Sequence, residues 1–198
     1  MGFDLQTIPV RLDSEPVRRI REDAGLWQEA AYRPPFGSRL GEEQLPEISL
    51  ALIAEVPGVQ GWTGHFPDRS HDKAEYLLDP RTARELGTYA ERERSLPYRA
   101  IFGDEDFAAH AKAPQGVPWR CSGTAFLRQA AALINAIDPV AARREFSVAE
   151  TADLQLYKSS PYDDDDAEFD VILQHLRRLA AYYSQVADRG LGLIIKLD

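Results

Sequence analysis

The sequence predicts an α+β fold: a small mixed or antiparallel sheet, containing the N- and C-terminal strands, flanked by several helices. Three stretches carry that expectation. Residues 3–10 (FDLQTIPV) alternate apolar and polar side chains, the period of a half-buried strand. From Phe169, the residues Ile172, Leu173, Leu176, Leu179, Ala180, Tyr183 and Val186 recur at a 3.6-residue period, which marks one long amphipathic helix. Gly190 then reads as the left-handed stop, and Leu191 to Leu197 is an apolar run of strand length.

The remaining elements follow in chain order. Pro9 lies near the end of the first strand, where the missing donor matters least, which suits an edge or a strand terminus. Asp13 or Ser14 caps a helix with Pro16 in its first turn and Val17, Ile20 and Ala24 on one face; Gly25 is expected to stop it. Pro34, Pro35 and Gly37 make residues 32–43 a loop. Residues 44–55 favour a short helix, with Pro46 in its first turn and Ile48, Leu52 and Ile53 facing inward.

Residues 56–72 are dense in glycine and proline and read as a long loop pinned by Trp62 and Phe66. Ala74 to Leu78 reads as a short strand or a helix start, and Asp79-Pro80 opens a charged helix through about Arg94. Tyr98 to Phe102 has the look of a strand, followed by a second long loop over 103–119. Ser122 is the expected cap of a helix over 123–137, where Phe126, Ala130, Leu133, Ile134 and Ile137 share a face. Asp138-Pro139 starts another short helix ending near Phe146, and Ser147 with Glu150 forms a capping-box pattern that opens the next, through about Leu156. No repeat or linker interrupts the chain, so residues 1–198 read as one domain.

Composition narrows the function. The 198 residues carry a formal charge of −9 and an apolar share of 44%, enough for a real core but the wrong sign for nucleic acid or an anionic membrane. A basic protein partner is compatible with that charge. The single cysteine, Cys121, allows no intrachain disulfide. The first residues lack the pattern of a signal peptide, and no apolar run approaches the ~18 residues of a membrane span. A cytoplasmic protein with no membrane or nucleic-acid partner is the expectation.

No local pattern announces a catalyst. Asp163, Asp164, Asp165 and Asp166 offer carboxylates to a hard cation, but the glycine and distal glutamate of a calcium loop are absent. Acids in a first helical turn complement the helix dipole, so capping is the favoured reading. Asp163, Asp164 and Asp165 remain candidates for docking a basic partner, because the last 52 residues hold 10 acids against 5 bases. His65, Asp68 and His71, with Asp72 nearby, are the candidate metal ligands. Their spacing matches no zinc signature, so no metal and no cofactor are expected. Trp62, Phe66 and Trp119 are the candidate aromatic contact residues of the two loops. Cys121 is expected to be buried and inert, and His110 and His175 to lie at the surface. The arginine pairs alternate with acids and read as solvated helix faces. Glycine-rich phosphate loops and nucleophile elbows are missing.

The chain nevertheless resembles the YfbM-like family of uncharacterised bacterial proteins. The resembling residues are Ala136 to Pro139 (AIDP), Arg144 to Ser147 (REFS), Leu156-Tyr157, Leu176 to Tyr183 (LRRLAAYY), Ala187 to Gly190 (ADRG) and Leu193 to Leu197 (LIIKL). Upstream, Tyr76-Leu77-Leu78 and Ala100 to Gly103 are similar to that family's strand pieces. Glu75 stands where a histidine commonly precedes the Tyr-Leu-Leu segment, so no site built on that histidine carries over. The resemblance implies an α+β fold in a cytosolic protein with no established reaction. Two functions follow from the residues. One is a non-enzymatic protein-binding module, such as an antagonist of a basic protein; the alternative is a small hydrolase or metal-dependent enzyme using the 56–72 loop.

Overall fold

The computed structural model describes residues 4–37, 45–56, 66, 69–85, 89–113 and 116–197. Its strands are β1 (Leu5–Val10), β2 (Glu105–Asp106), β3 (Arg120–Ser122) and β4 (Gly192–Leu197). They form one antiparallel sheet in the order β1-β4-β3-β2. The register runs from Leu5 opposite Leu197 to Val10 opposite Gly192, and from Arg120 opposite Ile195 to Ser122 opposite Leu193. The N- and C-terminal strands thus meet as expected.

The helices among the described residues are α1 (Glu15–Glu22), α2 (Ala24–Ala30), α3 (Glu47–Glu55), α4 (His71–Leu78), α5 (Pro80–Glu85) and α6 (Tyr89–Arg92). They continue with α7 (Leu96–Phe102), α8 (Thr124–Asn135), α9 (Pro139–Glu145), α10 (Val148–Asp153) and α11 (Asp165–Asp188). Successive residues of a strand point to opposite faces, and β4 shows the result. Leu193 and Ile195 join a core with Leu176, Leu179 and Tyr183 of α11, Leu127 and Ile134 of α8, and Ile101 of α7. Ile194 faces the other way, into a second core with Ile8, Val10, Val17, Ile20, Trp27, Phe36, Leu52, Phe107 and Trp119. Covered on both faces, β4 is apolar from Leu193 to Ile195, and the buried Lys196 that follows lays its ammonium over the Trp119 ring, 5.0 Å from the centroid.

Local caps explain most boundaries. Asp138 accepts from the Val140 and Ala141 N–H groups, Ser147 from the Glu150 N–H and Asp79 from those of Arg81 and Thr82. The Glu150 carboxylate, by contrast, turns away from a capping box to accept from the Tyr76 hydroxyl at 2.5 Å and from Arg84.

Several expectations are corrected. Asp23 accepts from the Gly25 and Leu26 N–H groups, so it ends α1 and caps α2; Gly25 sits inside that second helix instead of stopping the first. Ala24 and Ile53 are exposed, outside the faces assigned to them. The 74–78 segment is helix α4, and 98–102 is not a strand but the body of α7, with Ser95 accepting from the Tyr98 N–H at 3.2 Å. Its Tyr98, Ala100, Ile101 and Phe102 are all buried. A helix buried on every side loses its 3.6 period and mimics a buried strand. Of the charged helix expected over 79–94, α5 and α6 are helical, 93–94 form a turn, and 86–88 lie outside the described residues. Ser122 belongs to β3, and Gly123 takes the cap position of α8.

The interior also holds charge. Glu75 of α4 is 3% exposed and bidentate to Arg92, whose Nε lies 2.8 Å from both carboxylate oxygens. Burial pushes the Glu75 carboxyl above its ordinary value, outweighing the pull of Arg92. Buried Lys73, also on α4, donates to Glu168 of α11 at 2.5 Å.

Candidate functional site

The cleft that the second long loop builds lies where the end of α7 meets the β2–β3 hairpin. About 430 Å³ in volume, it is lined by Glu93, Arg94, Arg99, Asp104, Asp106 and Arg120. Each side chain is placed by local structure. The helix α7 ends at Gly103, whose φ of +109° lets the chain turn sharply into Asp104. The Asp104 N–H donates to Ser122 Oγ at 3.1 Å and to the Cys121 carbonyl at 2.9 Å, closing the hairpin. Arg99 Nε donates to Asp104 Oδ1 at 2.8 Å while its guanidinium lies 5.0 Å from the Phe126 ring centroid.

Arg120 is the most constrained member. Its side chain is 13% exposed and lies 5.6 Å from the Tyr98 ring centroid. Nε donates to the Gly103 carbonyl at 3.1 Å, Nη2 to the Asp104 carbonyl at 3.2 Å and Nη1 to Asp106 Oδ1 at 2.9 Å. Of the remaining lining residues, the Glu93 and Arg94 side chains make no hydrogen bond or ion pair among the described residues. A narrow neighbouring groove shares Glu93 and Arg120 and is walled by Tyr98, Phe102, Val117 and Ile195. Chemically this arrangement is a rigid array of alternating charge beside an apolar wall, suited to recognition.

Gly103 couples the fold to this array. A Cβ there would come within 2.8 Å of the Arg120 Cβ, at a φ that side-chain-bearing residues avoid. Gly103→Ala is expected to lower stability by about 1–3 kcal/mol and to push Arg120 off Tyr98. A denaturation curve unchanged from wild type would contradict this.

The residues singled out from sequence are scattered. Trp62, His65 and Asp68 lie outside the described residues. His71 is 3% exposed, stacked on Tyr157 with centroids 5.5 Å apart and set edge-on to Phe102. Asp72 accepts from the Tyr157 N–H at 3.2 Å and pairs with Arg92 at 3.3 Å. Among the described residues, no group of three or more His, Cys, Asp or Glu could hold a metal ion. Phe66 and Trp119 are core residues, the first edge-on to His175, the second 4.2 Å from Trp27 in a T-shaped contact. His175 itself is 6% exposed and half-buried His110 bonds the Ile20 carbonyl at 2.9 Å, so neither is the surface residue expected.

Within the aspartate run Asp164 caps α11, while the next two residues tie it to α10 and α9. Asp164 accepts from the Ala167 N–H at 2.8 Å, Asp165 from the Val148 N–H at 2.7 Å, and Asp166 pairs with Arg143; Asp163 is exposed. Cys121 is buried, and burial together with Glu105 pushes its thiol up to about 12, leaving it unreactive as a nucleophile at neutral pH. Sequence reasoning missed Arg99, Arg120 and Asp104, which no local motif joins. Glu93 and Arg94 fell within a run (ERERS) that reads as a solvated helix face.

A model of the family described as a domain of unknown function, DUF1877, matches residues 68–196. Among solved structures, the chain is similar to the crystal structure of YfbM, a protein of unknown function from Escherichia coli. The likeness covers 98% of this chain and 99% of that one, with a TM-score of 0.61 at 12% identity, and it speaks for the fold alone. No curated protein matches the chain. Among the described residues, no helix is long and apolar enough to cross a membrane.

Proposed function

Since this chain belongs to the DUF1877 family, which is defined by a domain of unknown function, we propose a role from the geometry: a non-enzymatic protein-binding module that engages a basic partner through the cleft between α7 and the β2–β3 hairpin. The observation that carries this reading is the wholly charged lining of that cleft, Glu93 and Arg94 included. Arg99 and Arg120 are already held by Asp104, Asp106 and main-chain carbonyls, so binding would order few side chains. The formal charge of −9 supplies long-range attraction for a basic protein, and the fixed pairs supply register. A module seated on a basic surface masks it, which is how an antagonist acts.

The test is affinity capture from lysate at low salt, comparing wild type with the double variant Glu93→Lys, Arg94→Glu. That swap leaves the net charge unchanged, so it probes the cleft and not the overall field. Wild type should retain one basic protein in stoichiometric amount, releasing it as salt rises, and the swap should weaken capture about tenfold or more. Equal capture by both forms, or no basic protein at low salt, refutes the proposal.

A further inference from the structure

We infer that the ligand of this cleft is the C-terminal residue of a chain ending in lysine or arginine, an inference that rests on the binding role proposed for the same cleft. Three cationic and three anionic side chains line it. A lone anion such as phosphate would meet Glu93, Asp104 and Asp106, and a lone cation would meet three guanidinium groups. The ligand that satisfies both sets carries a carboxylate and a cation a few bonds apart.

Donor counting locates the carboxylate. A guanidinium has five N–H groups in a fixed fork. Arg120 commits three, to the Gly103 and Asp104 carbonyls and Asp106 Oδ1, which leaves two. Arg99 directs two at Asp104 Oδ1 and keeps three, and Arg94 commits none among the described residues. A carboxylate accepts from such forks in bidentate fashion. The cation then falls to Asp106, whose side chain is 61% exposed, and to Glu93. Between them, the aliphatic stem of the side chain spans the cleft itself, about 430 Å³ in volume; the adjoining groove, about 10 Å³ and edged by Lys196, has no room for it. An internal lysine lacks the carboxylate, and free lysine adds an α-ammonium beside the guanidinium groups. For a protein ligand, a chain ending in lysine or arginine brings the required pair within one residue and adds no surplus charge.

Calorimetric titration of the full chain tests this with four probes: acetyl-Ala-Ala-Ala-Lys with a free carboxylate, its C-terminal amide, the same peptide ending in norleucine, and free lysine. The free-acid lysine peptide should bind about tenfold or more tighter than the other three, the difference of one charge-assisted contact. Arg94→Ala should abolish the preference for acid over amide, and Glu93→Gln the preference for lysine over norleucine. Both positions lie outside the cores, and unchanged circular dichroism verifies folding. Equal binding of acid and amide, no binding of the acid, or free lysine binding as tightly each overturn the inference. If the basic partner is captured and the charge swap releases it while acid and amide bind alike, chain-end recognition fails and the binding role stands.

Discussion

Glu75→Ala is expected to destabilise the protein by about 3 kcal/mol, measured as a lower midpoint in chemical denaturation. The carboxylate it removes is buried and takes both forks of Arg92, with Nη2 at 2.5 Å from Oε2. Burial works against the Arg92 charge, but the bonds and charge of Glu75, with Asp72 behind them, raise its pKa; without Glu75 that compensation shrinks. Asp72, 3.3 Å away, still accompanies Arg92, which holds the loss to the lower end of the range for broken buried pairs. Replacing both partners, Glu75→Leu with Arg92→Met, should cost less than the single change. A loss under about 1 kcal/mol for the alanine variant would show that the pair does not behave as a buried one. The pH dependence has a definite sign. Because its folded pKa is raised, Glu75 contributes most below the ordinary glutamate value, and that contribution fades as pH rises through the folded value. The advantage of wild type over Glu75→Gln should therefore shrink from acid toward neutral pH.

Trp27→Ala should be of similar size, about 3–5 kcal/mol, for a different reason. Trp27 gathers residues distant in sequence: Trp119 at 4.2 Å, Phe107 at 6.0 Å, Phe36 at 6.1 Å and His110 at 6.3 Å between centroids. Three of those four come from the 103–119 segment. The Phe107 N–H donates to the Trp119 carbonyl at 2.8 Å, immediately beside Asp106 and Arg120. Removing the indole therefore loosens the floor of the cleft as well as the second core. Denaturation should report the first effect. Limited proteolysis within 107–119, faster than in wild type under native conditions, should report the second. Cleavage at the wild-type rate would show that the segment is held by other contacts.

What could be read from sequence was what is encoded locally. The α11 stripe, the two flanking strands and the caps at Asp79, Asp138 and Ser147 each depend on neighbours a few residues away. Elements defined by distant partners escaped notice. β2 is two residues long and exists through its pairing with β3, which in turn leans on β4. His175 falls off the apolar stripe of α11 yet is buried, because Phe66 arrives from far upstream to cover it. The cleft follows the same logic. Its lining comes from 93–94, 99, 104, 106 and 120, and a side chain such as Arg120 acquires its role only when α7 supplies Tyr98 beneath it. The 103–119 loop could be flagged by its length and composition, but not the charges it would assemble.

The sheet order has a kinetic consequence. Among the described residues β1 pairs with β4 and with no other strand, and β3 too depends on β4. At typical synthesis rates of about 5–20 residues per second, β1 waits roughly 10–40 s before its neighbour leaves the ribosome. Throughout that interval Leu5, Ile8 and Val10 belong to an unpaired apolar strand, a hazard for association with other nascent chains. Pro9, within that strand, removes one of the donors such association would use. Refolding should share this delay in kind: the pairing that closes the sheet joins segments at opposite ends of the sequence, the slowest sort of contact to form.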